Sequence, residues 1–113
     1  MLHFKEFGRY EIICKLGRGM TDVYLALDPA EDQRIVLKII EQSADPWTQI
    51  VLEAERRGTL IQQQLHEADG RFLKIYDAGE LNGCYFVAMQ YVEGKSIAEI
   101  LRIFMPRWRP VGA

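Results

Sequence analysis

Leu16-Gly17-Arg18-Gly19-Met20-Thr21-Asp22-Val23-Tyr24-Leu25-Ala26, with Ile35-Val36-Leu37-Lys38 a short step beyond, is the stretch whose reading decides the fold. Gly17 and Gly19 stand between two strand-like runs, 10–16 and 22–27, as a β-hairpin requires. Glycine lets a backbone approach a ligand that a Cβ would hold off, and exposed N–H groups in such a turn attract anions. Asp28-Pro29-Ala30-Glu31-Asp32-Gln33 is polar and turn-like. A third strand follows over 34–40, rich in β-branched residues. Lys38 lies in it between Val36-Leu37 and Ile39-Ile40, and strand alternation puts Lys38 and Val36 on one face. A lysine in such apolar company is poorly explained as one more solvated side chain.

Beyond the third strand the period changes. Trp47, Ile50, Val51, Ala54, Gly58, Ile61 and Leu65 recur at helical spacing, which predicts one main helix with this stripe toward the core. Asp45 suits its N-cap and Pro46 its first turn, and the run His66-Glu67-Ala68-Asp69-Gly70 ends it. The Trp47 and Phe72 rings are expected in the core. Two more strands are predicted over 72–79 and 85–89, joined by Leu81-Asn82-Gly83-Cys84, whose Asn-Gly pair is a strong hairpin signal. Glu93-Gly94 breaks the chain, and a short C-terminal helix is expected from Ser96 to Arg102, capped by Ser96. The fold class is therefore α+β: a five-stranded antiparallel sheet, one main helix and a short C-terminal helix. Residues 1–102 form the domain and 103–113 an irregular tail, in which Pro106 and Pro110 argue against continued helix.

Composition narrows the function classes. A chain of 113 residues makes one small domain. A net charge of −2 gives no footprint for nucleic acid or a membrane surface. No apolar run is long enough to span a bilayer, and Met1–Tyr10 does not read as a secretory leader, so a cytoplasmic location is expected. Cys14 and Cys84 have no metal-type companions nearby and read as reduced structural thiols. His3 and His66 lack triad or metal-like companions and read as surface or loop residues.

With its motifs in this order, the chain from about Phe7 to Arg102 resembles the N-terminal lobe of eukaryotic-type Ser/Thr protein kinases, most like the bacterial branch. The resemblance implies roles for particular residues. Gly17 and Gly19 would bring the backbone to the phosphates of ATP, and Val23 and Val36 would pack on the adenine. Lys38 would contact the α- and β-phosphates and pair with a helix glutamate. Glu55 and Glu53 are both candidates for that glutamate. Glu55 is preferred because it follows Val51 by four residues and borders the apolar stripe. Met89 would be the gatekeeper, and the Gln90 C=O and Val92 N–H would meet the adenine edge.

The family hairpin reads Gly-x-Gly-x-x-Gly-x-Val. Here it is one residue short, has no third glycine, and carries Asp22, whose carboxylate would repel phosphates if it pointed inward. Val36 replaces the usual alanine and would narrow the adenine side. The family transfers phosphate with a His-Arg-Asp-x-x-x-x-Asn loop and an Asp-Phe-Gly segment, which supply the catalytic aspartate and the magnesium ligands. Neither is present in this sequence, so no catalytic and no metal-binding residue is assigned, and the chain alone is expected to be inactive. The expectation is thus a truncated or inactive kinase lobe with ATP as its possible ligand. The alternative is a stand-alone nucleotide-binding or protein-interaction module that regulates a kinase. Either would leave an apolar inter-lobe face open to a protein partner or to self-association, with Phe104, Met105 and Trp108 as candidate cover.

Overall fold

Alternation along the strands sorts the apolar side chains onto two faces of one sheet; the curl encloses one, and the helix packs on the other. The computed structural model describes residues 5–18, 21–92 and 109–110. Its elements are β1 (Glu6–Phe7), β2 (Tyr10–Arg18), β3 (Asp22–Asp28), β4 (Gln33–Glu41), α1 (Pro46–Ala68), β5 (Ile75–Leu81), β6 (Cys84–Gln90) and β7 (Arg109–Pro110). All pairings are antiparallel, in the order β1-β2-β3-β4-β6-β5, with β7 pairing β2 off this path. The α+β class stands. The expected five-stranded sheet does not, because β1 and β7 are additional. Strands of two residues carry no alternation for a sequence pattern to reveal. The expected helix over Ser96–Arg102 lies outside the described residues, as do Phe104, Met105 and Trp108.

Tyr24, Ala26, Ile35, Leu37, Ile39, Cys84, Phe86 and Ala88 point to the inside of the curl, where Phe7 and Tyr10 join them. The curl is tight enough for the first strand to meet the far side of the sheet. Phe7 packs edge-on against Phe86 with ring centroids 5.6 Å apart. Gly8, at φ +58°, turns the chain there, and a Cβ on it would lie 2.7 Å from Leu81 Cδ2. Asp28 stays buried at this end through an ion pair with Arg9 at 3.1 Å. The β5–β6 hairpin is tied by Asn82 at φ 53° and Gly83 at φ 74°, as the Asn-Gly signal predicts.

The opposite face carries Val23, Val36, Ile40, Tyr85, Val87 and Met89, with Ile75 and Leu73, and it receives Leu52 from α1. Asp45 caps that helix, accepting from the Thr48 N–H at 3.0 Å, with Pro46 in its first turn. The orientation of α1 corrects the sequence reading. Trp47, Ile50 and Ile61, expected in the core, are 51%, 60% and 56% exposed, and Gly58 faces open space. The inner row is Leu52, Glu55, Thr59, Gln62 and His66, of which Leu52 and Thr59 are buried. Of the expected stripe, Val51 packs against the sheet, whereas most of the rest lies on the outer side, and hydrogen bonds fasten much of the inner one. Phe72 is half-buried. No helix among the described residues is long and apolar enough to cross a membrane.

Two outcomes follow from this packing. Leu52→Ala is expected to cost about 2–5 kcal/mol in urea unfolding, whereas Ile61→Ala should stay within about 0.5 kcal/mol. Burial first, then the charges of Asp22 and Cys84, pushes the Tyr24 phenol up from 10.0 to about 12. The folded chain thus favours neutral Tyr24. That contribution is complete below about pH 10 and is lost as pH rises through about 12. A tyrosinate absorbance titration should show this late step, and Tyr24→Phe should remove it.

Candidate functional site

Strand register delivers Lys38 to the face that also holds the hairpin valine. Lys38 on β4 lies opposite Val23 on β3 and Val87 on β6, while Val36 lies opposite Met89. Val23, Val36 and Met89 belong to one cluster, against which Leu16, Val51, Tyr91 and Val92 pack. The sequence-predicted residues Val23, Val36, Lys38, Met89 and Val92 are therefore brought to a single face. Gly17 sits in β2 opposite Val23, beside a register shift that begins at Lys15. Gly19 lies outside the described residues.

Glu55 enters from α1. Lys38 Nζ is 2.8 Å from Glu55 Oε2, and the two side chains are 10% and 21% exposed. A charged pair this sheltered holds a fixed geometry, because either partner left alone would be a poorly solvated charge. Glu53, the other candidate, points to solvent and pairs with Arg57 one turn on, at 2.9 Å. Of the two candidates, the structure brings Glu55 to Lys38. Val51, the stripe residue used to choose it, packs against the cluster that holds Val23 and Met89, while Trp47, Ile50 and Ile61 of the same stripe are exposed.

Around Glu55 lies a polar seam. The Thr59 hydroxyl donates to the Glu55 C=O at 2.8 Å and accepts from the Tyr85 hydroxyl at 3.2 Å. Gln62 Nε2 donates to the Leu73 C=O at 3.2 Å, and His66 Nδ1–H to the Phe72 C=O at 2.6 Å. His66, read as a surface or loop residue, is thus half-buried on the docking face. Thr21, near the tip of the glycine hairpin, is 5% exposed and donates to Glu55 Oε1 at 3.5 Å. Sequence reasoning passed over Thr21, although a hydroxyl in the place of the missing third glycine was a visible signal.

Two further positions fix the surroundings. Asp22 shares the face of Tyr24, turned from Lys38, and pairs with Lys15 at 3.3 Å. Its carboxylate therefore does not point toward the lysine. Gln90 N–H donates to the Lys74 C=O at 2.8 Å, and Gln90 Oε1 accepts from the Lys74 N–H at 3.1 Å. These bonds pin the end of β6, from which Tyr91 and Val92 continue under the sheet. Among the described residues, no group of three or more His, Cys, Asp or Glu could hold a metal ion.

The comparison with known proteins points the same way. The chain is 31% identical over 106 residues to the serine/threonine-protein kinase PknD of Mycobacterium tuberculosis, covering 89% of this chain and 15% of the relative. It is 32% identical over 100 residues to PknE of the same species, 86% of this chain and 17% of that protein. It is 30% identical over 95 residues to PrkC of Bacillus subtilis, 83% and 14%. No protein-family model matches. The relatives that match most of this chain at about 30% identity are bacterial serine/threonine protein kinases, in agreement with the resemblance to an N-terminal lobe. The chain spans about one sixth or less of the length of these curated relatives.

Removing one carboxylate tests the seam. Glu55→Gln is expected to cost about 1–3 kcal/mol in chemical denaturation, since Lys38 keeps its sheltered charge. Glu53→Gln, on an exposed pair, should stay within about 0.5 kcal/mol.

Proposed function

We propose that this chain is the nucleotide-gripping lobe of a serine/threonine kinase fold and that its ligand is ATP. The carrying observation is the 2.8 Å Lys38–Glu55 pair, set on the face that also holds Val23, Val36 and Met89. The donor set fits the ligand: an ammonium oriented by a carboxylate for phosphate oxygens, apolar side chains for a base, and backbone polar groups at the ends of β2 and β6. When bound, ATP supplies a transferable γ-phosphoryl group.

The work of this chain's own residues is to bind and orient. Glu55 holds the Lys38 ammonium against the sheet, so the lysine meets an α- or β-phosphate without first losing side-chain entropy. Val23 and Val36 set the width of the slot for the base, and Val36 makes it narrower than an alanine would. Gln90 and Val92 present their backbone to the base edge. These 113 residues include no aspartate in a His-Arg-Asp context and no Asp-Phe-Gly segment. Binding without phosphoryl transfer is therefore the activity proposed for the chain by itself.

One observation favours a second reading, a protein-interaction module. The outward side of α1 presents Trp47, Ile50, Leu60 and Ile61 to solvent. Calorimetric titration with ATP separates the two. The nucleotide reading expects saturable binding that Lys38→Met weakens about tenfold or more, the scale of one charged hydrogen bond. No binding by the unaltered chain would leave the interaction module.

A further inference from the structure

The sheet takes Leu52 and Val51 from α1 and leaves a second row of the helix uncovered. That row runs Trp47, Ile50, Ala54, Gly58, Ile61 and Leu65, all exposed, at steps of three and four residues. On a regular helix they share an arc of roughly 80°, and no charged residue falls within it. Gly58 is the odd member. Glycine inside a helix weakens it relative to alanine, and a Cβ on Gly58 would meet nothing within 4 Å. No contact among the described residues calls for a glycine there.

The row is also palindromic. Turned end for end about the Arg57–Gly58 step, Trp47 falls on Ala68, Ile50 on Leu65, and Ala54 on Ile61. Two of these matches set a large side chain against a small one, and Gly58 falls on Arg57. Between two antiparallel copies each match occurs twice, once on either side of the axis, as a two-fold interface requires. A parallel pair would instead set Trp47 on Trp47 and Gly58 on Gly58, crowding one layer and leaving another empty.

We infer that α1 pairs with the α1 of a second copy of this chain, antiparallel, across a two-fold axis at the Arg57–Gly58 step. The inference rests on the interaction reading of this helix face and is independent of the nucleotide reading. Gly58 then has a use, since it leaves room for the partner helix at the axis. Charge is compatible with the pairing. Arg57 is the charge nearest the axis, and Glu53 of its own helix holds it at 2.9 Å, so two bare like charges do not meet. Area is sufficient for a modest dimer. At its exposed fractions the row offers roughly 500 Å² per chain, the greater part of the ~800 Å² per partner in a standard interface.

Sedimentation velocity of the full chain, from low to high micromolar concentration, tests the pairing. The expected result is a monomer–dimer equilibrium, which Ile61→Glu weakens about tenfold or more. Gly58→Gln, a better helix former that fills the axis, should weaken it likewise. In dilute, monomeric solution Gly58→Gln should unfold in urea at an equal or higher midpoint, which separates a lost interface from a lost fold. Leu60→Glu, at an equally exposed leucine about a third of a turn from the row, should leave the dimer unaltered. In a Cys14→Ser background, Ala54→Cys and Ile61→Cys chains, mixed and oxidised, should cross-link to each other rather than to themselves. Self-cross-linking of Ala54→Cys, or equal disruption by Leu60→Glu and Ile61→Glu, would overturn the inference. So would a monomer at every concentration, and ATP titration of the same sample then reads the nucleotide site separately.

Discussion

The pair between Lys38 and Glu55 joins the two halves of this structure. Lys38 belongs to the sheet and Glu55 to the helix, and outside their contact each would be a charge in a poorly solvated place. The sheet fixes the lysine through register with Val23 and Val87. The helix fixes the glutamate through its capped start and through Thr59, which returns a hydrogen bond to the Glu55 backbone. Each element thus arrives with its half of the pair already oriented. Thr21 extends the same contact to the glycine hairpin, so one carboxylate touches sheet, hairpin and helix.

This explains why α1 lies as it does. An amphipathic helix ordinarily docks by its apolar stripe, and burying a large aliphatic side chain contributes about 1.5–3 kcal/mol. Here most of the apolar stripe faces out, and the inner row holds one leucine among Glu55, Thr59, Gln62 and His66, each with a hydrogen-bond partner. Such a seam is directional. It has one register in which all four partners meet, and a sliding or rotated helix would leave the buried Thr59 and the half-buried Glu55, Gln62 and His66 without theirs.

Much of the sheet was legible in the sequence, because strand alternation and turn residues are local signals. Val36 and Lys38 share a face as their spacing requires, and Asn82-Gly83 makes the expected hairpin. The curl was not legible. It depends on Phe7 meeting Phe86 across the sheet, a contact between residues far apart in the chain. The orientation of α1 was misread for a different reason. Periodicity reports that a helix has two unlike sides but names the buried one only by assuming it to be apolar. Glu55 was preferred because it follows Val51 by four residues, and Val51 does pack toward the sheet. Thr21 was missed because the hairpin was read for its glycines alone.

The two faces of the sheet differ in how they would respond to force. The inner cluster is enclosed by the strands themselves, with Phe7 and Tyr10 closing the curl, and it owes nothing to the helix. The outer cluster takes only Leu52 as a fully buried side chain from α1, beside the polar seam. If α1 tilted away, the polar seam would exchange protein partners for water, and Leu52 and Val51 would leave the apolar side chains of the outer cluster. The sheet would keep its shape meanwhile. Stiffness and compliance are thereby divided between the two sides of a single sheet, with the Lys38–Glu55 pair as the point where motion of one is felt by the other.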